Sequence, residues 1–158
     1  MLPSQYEGFV PPAALEDQLC FWLRLIAIRL SARLDRKLEE LGFSEVEWIT
    51  LRSLYEQSGT TQFALLQRLG MTKGEISKTI TRLERRGLVQ RQLAEGSSRI
   101  QWLSLTPLGD TLVPRLAAVA DSNEVYFFCH LNSTEQALLK GMLQSLVLKH
   151  QRTFRDMR

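Results

Sequence analysis

Apolar residues step at three and four along most of this chain, and the step changes to two over one short interval. Leu15, Leu19, Trp22, Ile26, Leu30, Leu34, Leu38 and Leu41 keep the helical step. They predict one long helix over residues 13–41, closed by Gly42. Between Leu19 and Leu30 the other faces are apolar as well, with Phe21, Leu23, Leu25 and Ile28. Such a stretch has to be covered on several sides. Ser44 and Glu47 have capping-box spacing and open a second helix, to about residue 57, that carries Val46, Trp48, Ile49, Leu51 and Leu54. Ser58-Gly59 breaks it.

Residues 61–70 read as a short helix that turns Leu65, Leu66 and Leu69 inward, followed by a tight turn at Gly70-Met71. Thr72 and Glu75 form a second capping box. The helix they start has an apolar stripe of Ile76, Ile80 and Leu83, and Gly87 stops it. Residues 88–93 and 99–105 are then strand-like, joined by a turn that contains Gly96, and predict a hairpin. Thr106-Pro107 supplies an N-cap and a proline at the first helical position. The helix after it is expected to reach Phe128, with Pro114 kinking it. A break at residues 131–133 precedes a third capping box, Ser133 with Gln136, and a last helix to about residue 153.

Helix, glycine turn, helix and hairpin together predict a winged helix-turn-helix. The fold class is therefore mainly α with a small β-hairpin wing, flanked by long dimerisation helices. Three regions follow: an N-terminal arm and dimerisation helix (1–43), the winged helix-turn-helix (44–105) and the C-terminal dimerisation helices (106–158). Helices this long and apolar need partners, and a second copy of the chain is the economical one.

The helix over residues 72–87 carries the candidate chemistry. Its free face holds Lys73, Ser77, Lys78, Thr81, Arg82 and Arg85, donors and cations without a carboxylate. That suits the major groove of double-stranded DNA. Charge agrees: residues 68–99 hold eight basic and three acidic residues, or +5, against +3 for the whole chain, so the remainder is −2. Ser77, Lys78, Thr81 and Arg82 are the base-edge candidates. Thr61, Gln62, Lys73, Arg85 and Arg86 are phosphate candidates, which position without specifying. Arg99, at the wing base, is a candidate for a minor-groove contact or for bracing the wing. Two recognition helices about one DNA turn apart would read a pseudo-palindrome.

LLQRLGMTKGEISKTITRLERRGLVQR, followed by RIQWLSLTPLG, resembles the MarR family of bacterial transcription regulators. The resemblance is densest over residues 61–109. It implies a homodimer that controls promoters, expected here to be a repressor, and that is released by a small molecule or by oxidation. The wing tip, Glu95-Gly96-Ser97-Ser98-Arg99, departs from the acidic-basic tip of the family and matches it at Arg99. LEDQLCF, residues 15–21, is similar to the corresponding stretch of the organic-hydroperoxide-sensing branch. That likeness implies a peroxide-reactive Cys20 with Cys129 as resolving thiol. The tyrosines which that branch carries four and fourteen residues after the cysteine are replaced here by Arg24 and Leu34. The other mode of control is a small aromatic or anionic effector, for which Trp22, Arg24, Trp48 and Tyr55 are candidate linings.

Other classes fit poorly. No 18-residue apolar run predicts a membrane span, and no secretory signal pattern opens the chain. Two cysteines make no disulfide framework, so a cytoplasmic protein is expected. His130 and His150 have no metal spacing, and no phosphate loop, dinucleotide fingerprint or nucleophile elbow is present. Neither an enzyme nor a cofactor is expected. The rival from another class is a winged helix used for protein contact alone, which would not need a cationic free face.

Overall fold

The computed structural model describes residues 12–57, 59–93 and 101–150. After a 3-10 turn at Leu15–Asp17 come α1 (Leu19–Glu39), α2 (Glu45–Glu56), β1 (Thr60–Thr61), α3 (Gln62–Leu69), α4 (Lys73–Arg85), β2 (Val89–Leu93), β3 (Gln101–Leu105), α5 (Pro107–Phe128) and α6 (Ser133–His150). The architecture is the mainly helical winged helix-turn-helix that the pattern predicts.

Apart from α1, helix starts are fixed by side chains that take over exposed backbone N–H groups. Ser44 and Thr72 accept from the N–H three residues on, while Glu47 and Glu75 reach back, so both predicted boxes are closed. Thr61 and Thr106 accept from the N–H groups of Ala64 and Gly109.

Three expectations are corrected. α1 begins at Leu19 rather than residue 13, because Gln18 is extended (φ −95°, ψ 125°) and separates it from the 3-10 turn. The Trp22 indole donates to the Glu16 carbonyl at 2.7 Å and holds that turn against the helix. The last helix is capped by Asn132 and Glu135 instead of Ser133 and Gln136. Asn132 Oδ1 accepts from the Glu135 N–H at 3.0 Å, and Glu135 Oε2 accepts from the Asn132 N–H at 2.8 Å. Gln136 is used elsewhere, donating to the carbonyls of Phe128 and Leu131. Finally, the hairpin gains a third strand. β1 pairs antiparallel with β3, Thr60 opposite Leu103 and Thr61 opposite Trp102, giving the order β1-β3-β2. Two residues are too few for an alternation to show in the sequence.

The core lies where α2, α4, the sheet and the first half of α5 meet. Leu51, Leu54, Ile76, Ile80, Leu83, Leu103, Val113 and Leu116 are almost wholly enclosed there, with Leu34 and Leu38 of α1 added at one side. Each such side chain contributes about 1.5–3 kcal/mol by leaving water. The first half of α1, the end of α5 and all of α6 stand outside this core. Leu19 is 81% exposed and Val125 66%, and Trp22, Leu23, Ile28, Met142 and Leu148 are exposed too. A polar clamp ties α1 to α5: Arg33 Nη1 donates to buried Asn123 Oδ1 at 2.8 Å, and Asn123 Nδ2 donates to the Leu30 carbonyl at 3.3 Å. The Arg33 guanidinium also lies 3.9 Å over the Tyr126 ring. Among the described residues no helix is long and apolar enough to cross a membrane.

Candidate nucleic-acid interface

The site is built on α4, and the flanking turns fix its pose. α3 ends at Gly70, whose φ of 64° is left-handed; a side chain there would be strained, and glycine makes the short turn into α4 cheap. At the other end Gly87 has φ 69°. Its N–H donates to the Glu84 carbonyl and the Leu88 N–H to the Leu83 carbonyl, at 2.9 and 3.0 Å, the paired bonds of a Schellman stop. Thr106 then ties the start of α5 to this exit: its hydroxyl donates to the Gly87 carbonyl at 2.6 Å and its N–H to the Leu88 carbonyl at 3.0 Å. Arg91 on β2 pairs with Glu84 on α4, Nε to Oε1 at 3.0 Å, and so pins the wing to the helix.

Ile76, Thr79, Ile80 and Leu83 form the buried back of α4. On the front, Lys73, Lys78, Arg82 and Arg85 are exposed, while Ser77 and Thr81 are half-buried between them. Glu75 and Glu84 are the carboxylates of this helix, and both are engaged, Glu75 in the cap and Glu84 with Arg91. The Thr72 hydroxyl, and secondly its N–H, hold the Glu75 carboxyl below the usual carboxylate range. Glu56, near the end of α2, is likewise lowered, chiefly by its hydrogen bond from Arg68.

The remaining candidates fall in several places. Thr61 caps α3 and, with Gln62, is half-buried at its start. Arg86 has intramolecular partners: Nη1 donates to the Gly42 carbonyl at 3.0 Å, and the guanidinium lies 3.9 Å over the Phe43 ring. Arg99 lies outside the described residues. Trp22 and Arg24 are exposed on α1, Tyr55 is exposed on α2, and Trp48 is buried in the core. These four do not share either of the two best-formed concavities among the described residues. One of those lies along α6, by Leu138, Met142 and Leu146; the other lies at the α5–α6 junction, by Phe128, Cys129 and Gln136. Cys20 and Cys129 are free and exposed. Among the described residues no group of three His, Cys, Asp or Glu could hold a metal ion. Sequence reading missed that Glu47, beyond its cap, faces two arginines of the recognition-helix segment. The S-x-x-E spacing explains the cap and hides the second role.

Comparison with known proteins agrees with this geometry. The MarR family model matches residues 41–100, which include α2, α3, α4 and β2. Over that stretch the chain resembles the MarR family. Transcriptional regulator HosA of Escherichia coli O127:H6 is 25% identical over 134 residues, covering 85% of this chain and 98% of HosA. Among solved structures, a probable transcriptional regulator from Pseudomonas aeruginosa is 28% identical with a TM-score of 0.75, covering 84% of this chain and 99% of that one. The MepR–DNA complex of S. aureus is 25% identical with a TM-score of 0.75, covering 84% and 98%. The named relatives are transcriptional regulators rather than enzymes, and the fold they share with this chain is a winged helix-turn-helix.

Proposed function

We propose that this protein is a homodimeric, cytoplasmic repressor that reads a pseudo-palindromic operator and is released by a small ligand. The observation that carries the reading is the exposed front of α4, where Lys78, Arg82 and Arg85 stand over an enclosed apolar back. Ser77, Lys78, Thr81 and Arg82 read base edges in the major groove. Thr61, Gln62, Lys73 and Arg85 hold phosphates, and Arg99, outside the described residues, keeps the minor-groove or bracing role expected from the sequence. MepR, a relative in fold and sequence, was crystallised with DNA. Residues 44–105 form the DNA-binding unit, and residues 1–43 and 106–158 supply the subunit contact. The effector is a small aromatic or anionic molecule that meets Trp22, Arg24 or Tyr55.

The test is duplex binding by fluorescence anisotropy, with the promoter beside the protein's own gene as the first probe. Arg82→Ala should weaken specific binding by about 1–3 kcal/mol, or roughly 5- to 150-fold. An Arg36→Ala control on exposed α1 should leave it unchanged. Affinity should also fall steeply with added salt. Equal loss in both variants, or no duplex binding at low salt, overturns the reading.

A second reading, control by a thiol, is favoured by the exposure of both cysteines. Cys20 would attack an organic hydroperoxide, giving a sulfenic acid and the alcohol, and Cys129 would condense with it to a disulfide and water. Cys20→Ser should then abolish peroxide-driven release from DNA. Unchanged release in that variant removes the thiol reading and leaves DNA binding untouched.

A further inference from the structure

The Glu47 carboxylate is 4% exposed, and its two oxygens face different ways. Oε2 accepts from the Ser44 N–H at 2.9 Å and closes the α2 capping box. Oε1 looks across to the recognition-helix segment, 3.5 Å from Arg86 Nη1 and 3.7 Å from Arg82 Nε. One nearly buried carboxylate thus faces two guanidinium groups four residues apart, which would otherwise repel each other.

The two arginines are held differently. Arg86 is 34% exposed and has further partners in the Gly42 carbonyl and the Phe43 ring. With these it is the counter-charge that a buried carboxylate requires. Arg82 is 57% exposed, and among the described residues Glu47 is its ion-pair partner. It approaches through Nε. A guanidinium is planar and rigid, so contact at the Nε edge leaves the fork of its two terminal nitrogens for another acceptor. That fork matches O6 and N7 of guanine.

We propose that Glu47 is a positioning residue for sequence reading: from α2 it orients Arg82 to present its terminal nitrogens to a guanine, while Arg86 braces the pair and touches no base. The proposal rests on the DNA-binding reading and adds a specificity determinant outside the helix-turn-helix. Preorganisation at the Nε edge favours the specific contact, because the side chain gives up less freedom on binding.

The experiment selects duplexes from a randomised pool with the full-length wild-type, Arg82→Ala, Glu47→Gln and Glu47→Asp proteins, and compares base preference position by position. Glutamine at the third helical position also closes a capping box, so Glu47→Gln removes the charge and keeps the cap. Aspartate keeps the charge and withdraws it by one methylene. Wild type should prefer guanine at one position in each half-site, and Arg82→Ala should lose that preference. Glu47→Gln and Glu47→Asp should each lower it about tenfold at that position alone, with binding to unselected duplex retained at low salt. Should Glu47→Gln fail to fold, the aspartate variant alone decides. Full preference in the Glu47 variants, or an even loss at every position, overturns the positioning role while DNA binding stands. Recovery of no preferred sequence by wild type overturns the DNA-binding reading and this proposal with it.

Discussion

At the scale of single residues, acid stability is tied to the pose of the recognition helix. Glu75 joins the cap that starts α4, and the Thr72 hydroxyl, then the Thr72 N–H, keep its carboxyl below the ordinary value of 4.5. A carboxyl lowered on folding contributes stability that is present above the unfolded-state value and is lost as pH falls through the folded one. The α4 start should therefore weaken from about pH 4.5 downward. Glu56 adds the same sign in the same window through Arg68. Glu75→Gln keeps the box geometry and removes one titrating group. Thermal midpoints followed from neutral pH to about pH 3 should show a shallower acid decline for this variant than for wild type. An identical decline would mean that the cap carries no measurable part of the acid sensitivity.

Among elements, α5 comes very close to the backbone that leaves α4. A Cβ placed on Gly109 would lie 2.3 Å from the Leu88 carbonyl oxygen, and this neighbour is backbone that cannot turn aside. Gly109→Ala should cost about 1–3 kcal/mol by overpacking, read as a lower midpoint in urea. Gly74, on the exposed front of α4, has nothing within 4 Å and no positive φ. Gly74→Ala should stabilise by about 0.5–1 kcal/mol, through helix propensity and a stiffer unfolded chain. Opposite signs at two helical glycines would confirm that close approach, rather than conformation, selects Gly109. The same contrast marks what could be read in advance. Caps such as Ser44, Thr72 and Thr106, and stops such as Gly87, act over four or five residues, so their spacing is visible along the chain. Gly109, buried Asn123, the two-residue β1 and the pairing of Glu47 with Arg82 and Arg86 depend on elements that meet only in the folded molecule. The last of these joins positions 35 and 39 residues apart. The front of α4 was legible because one helix carries it; the four effector candidates from the sequence are divided between α1 and α2, with Trp48 taken into the core.

For the molecule as a whole, the winged core encloses its apolar side chains and the arms leave theirs exposed. Leu34 and Leu38 anchor the end of α1 in the core, and Val113 and Leu116 anchor the start of α5. α6 has no buried residue, although Leu138, Met142, Leu143, Leu146, Val147 and Leu148 are all large and apolar. A helix apolar on several faces persists in water only when something covers it. A two-fold copy would cover it with the matching surface of its partner and would set two α4 fronts side by side. Wild type should then sediment as a dimer, with a thermal midpoint that rises with protein concentration. Leu138→Glu combined with Met142→Glu puts two carboxylates into that face and should give a monomer whose winged core stays folded. Half the phosphate contacts should go with the partner, so the slope of log affinity against log salt should fall to about half. A double variant that stays dimeric, or a dimer lost with no change in salt slope, would show that α6 does not couple the two recognition helices.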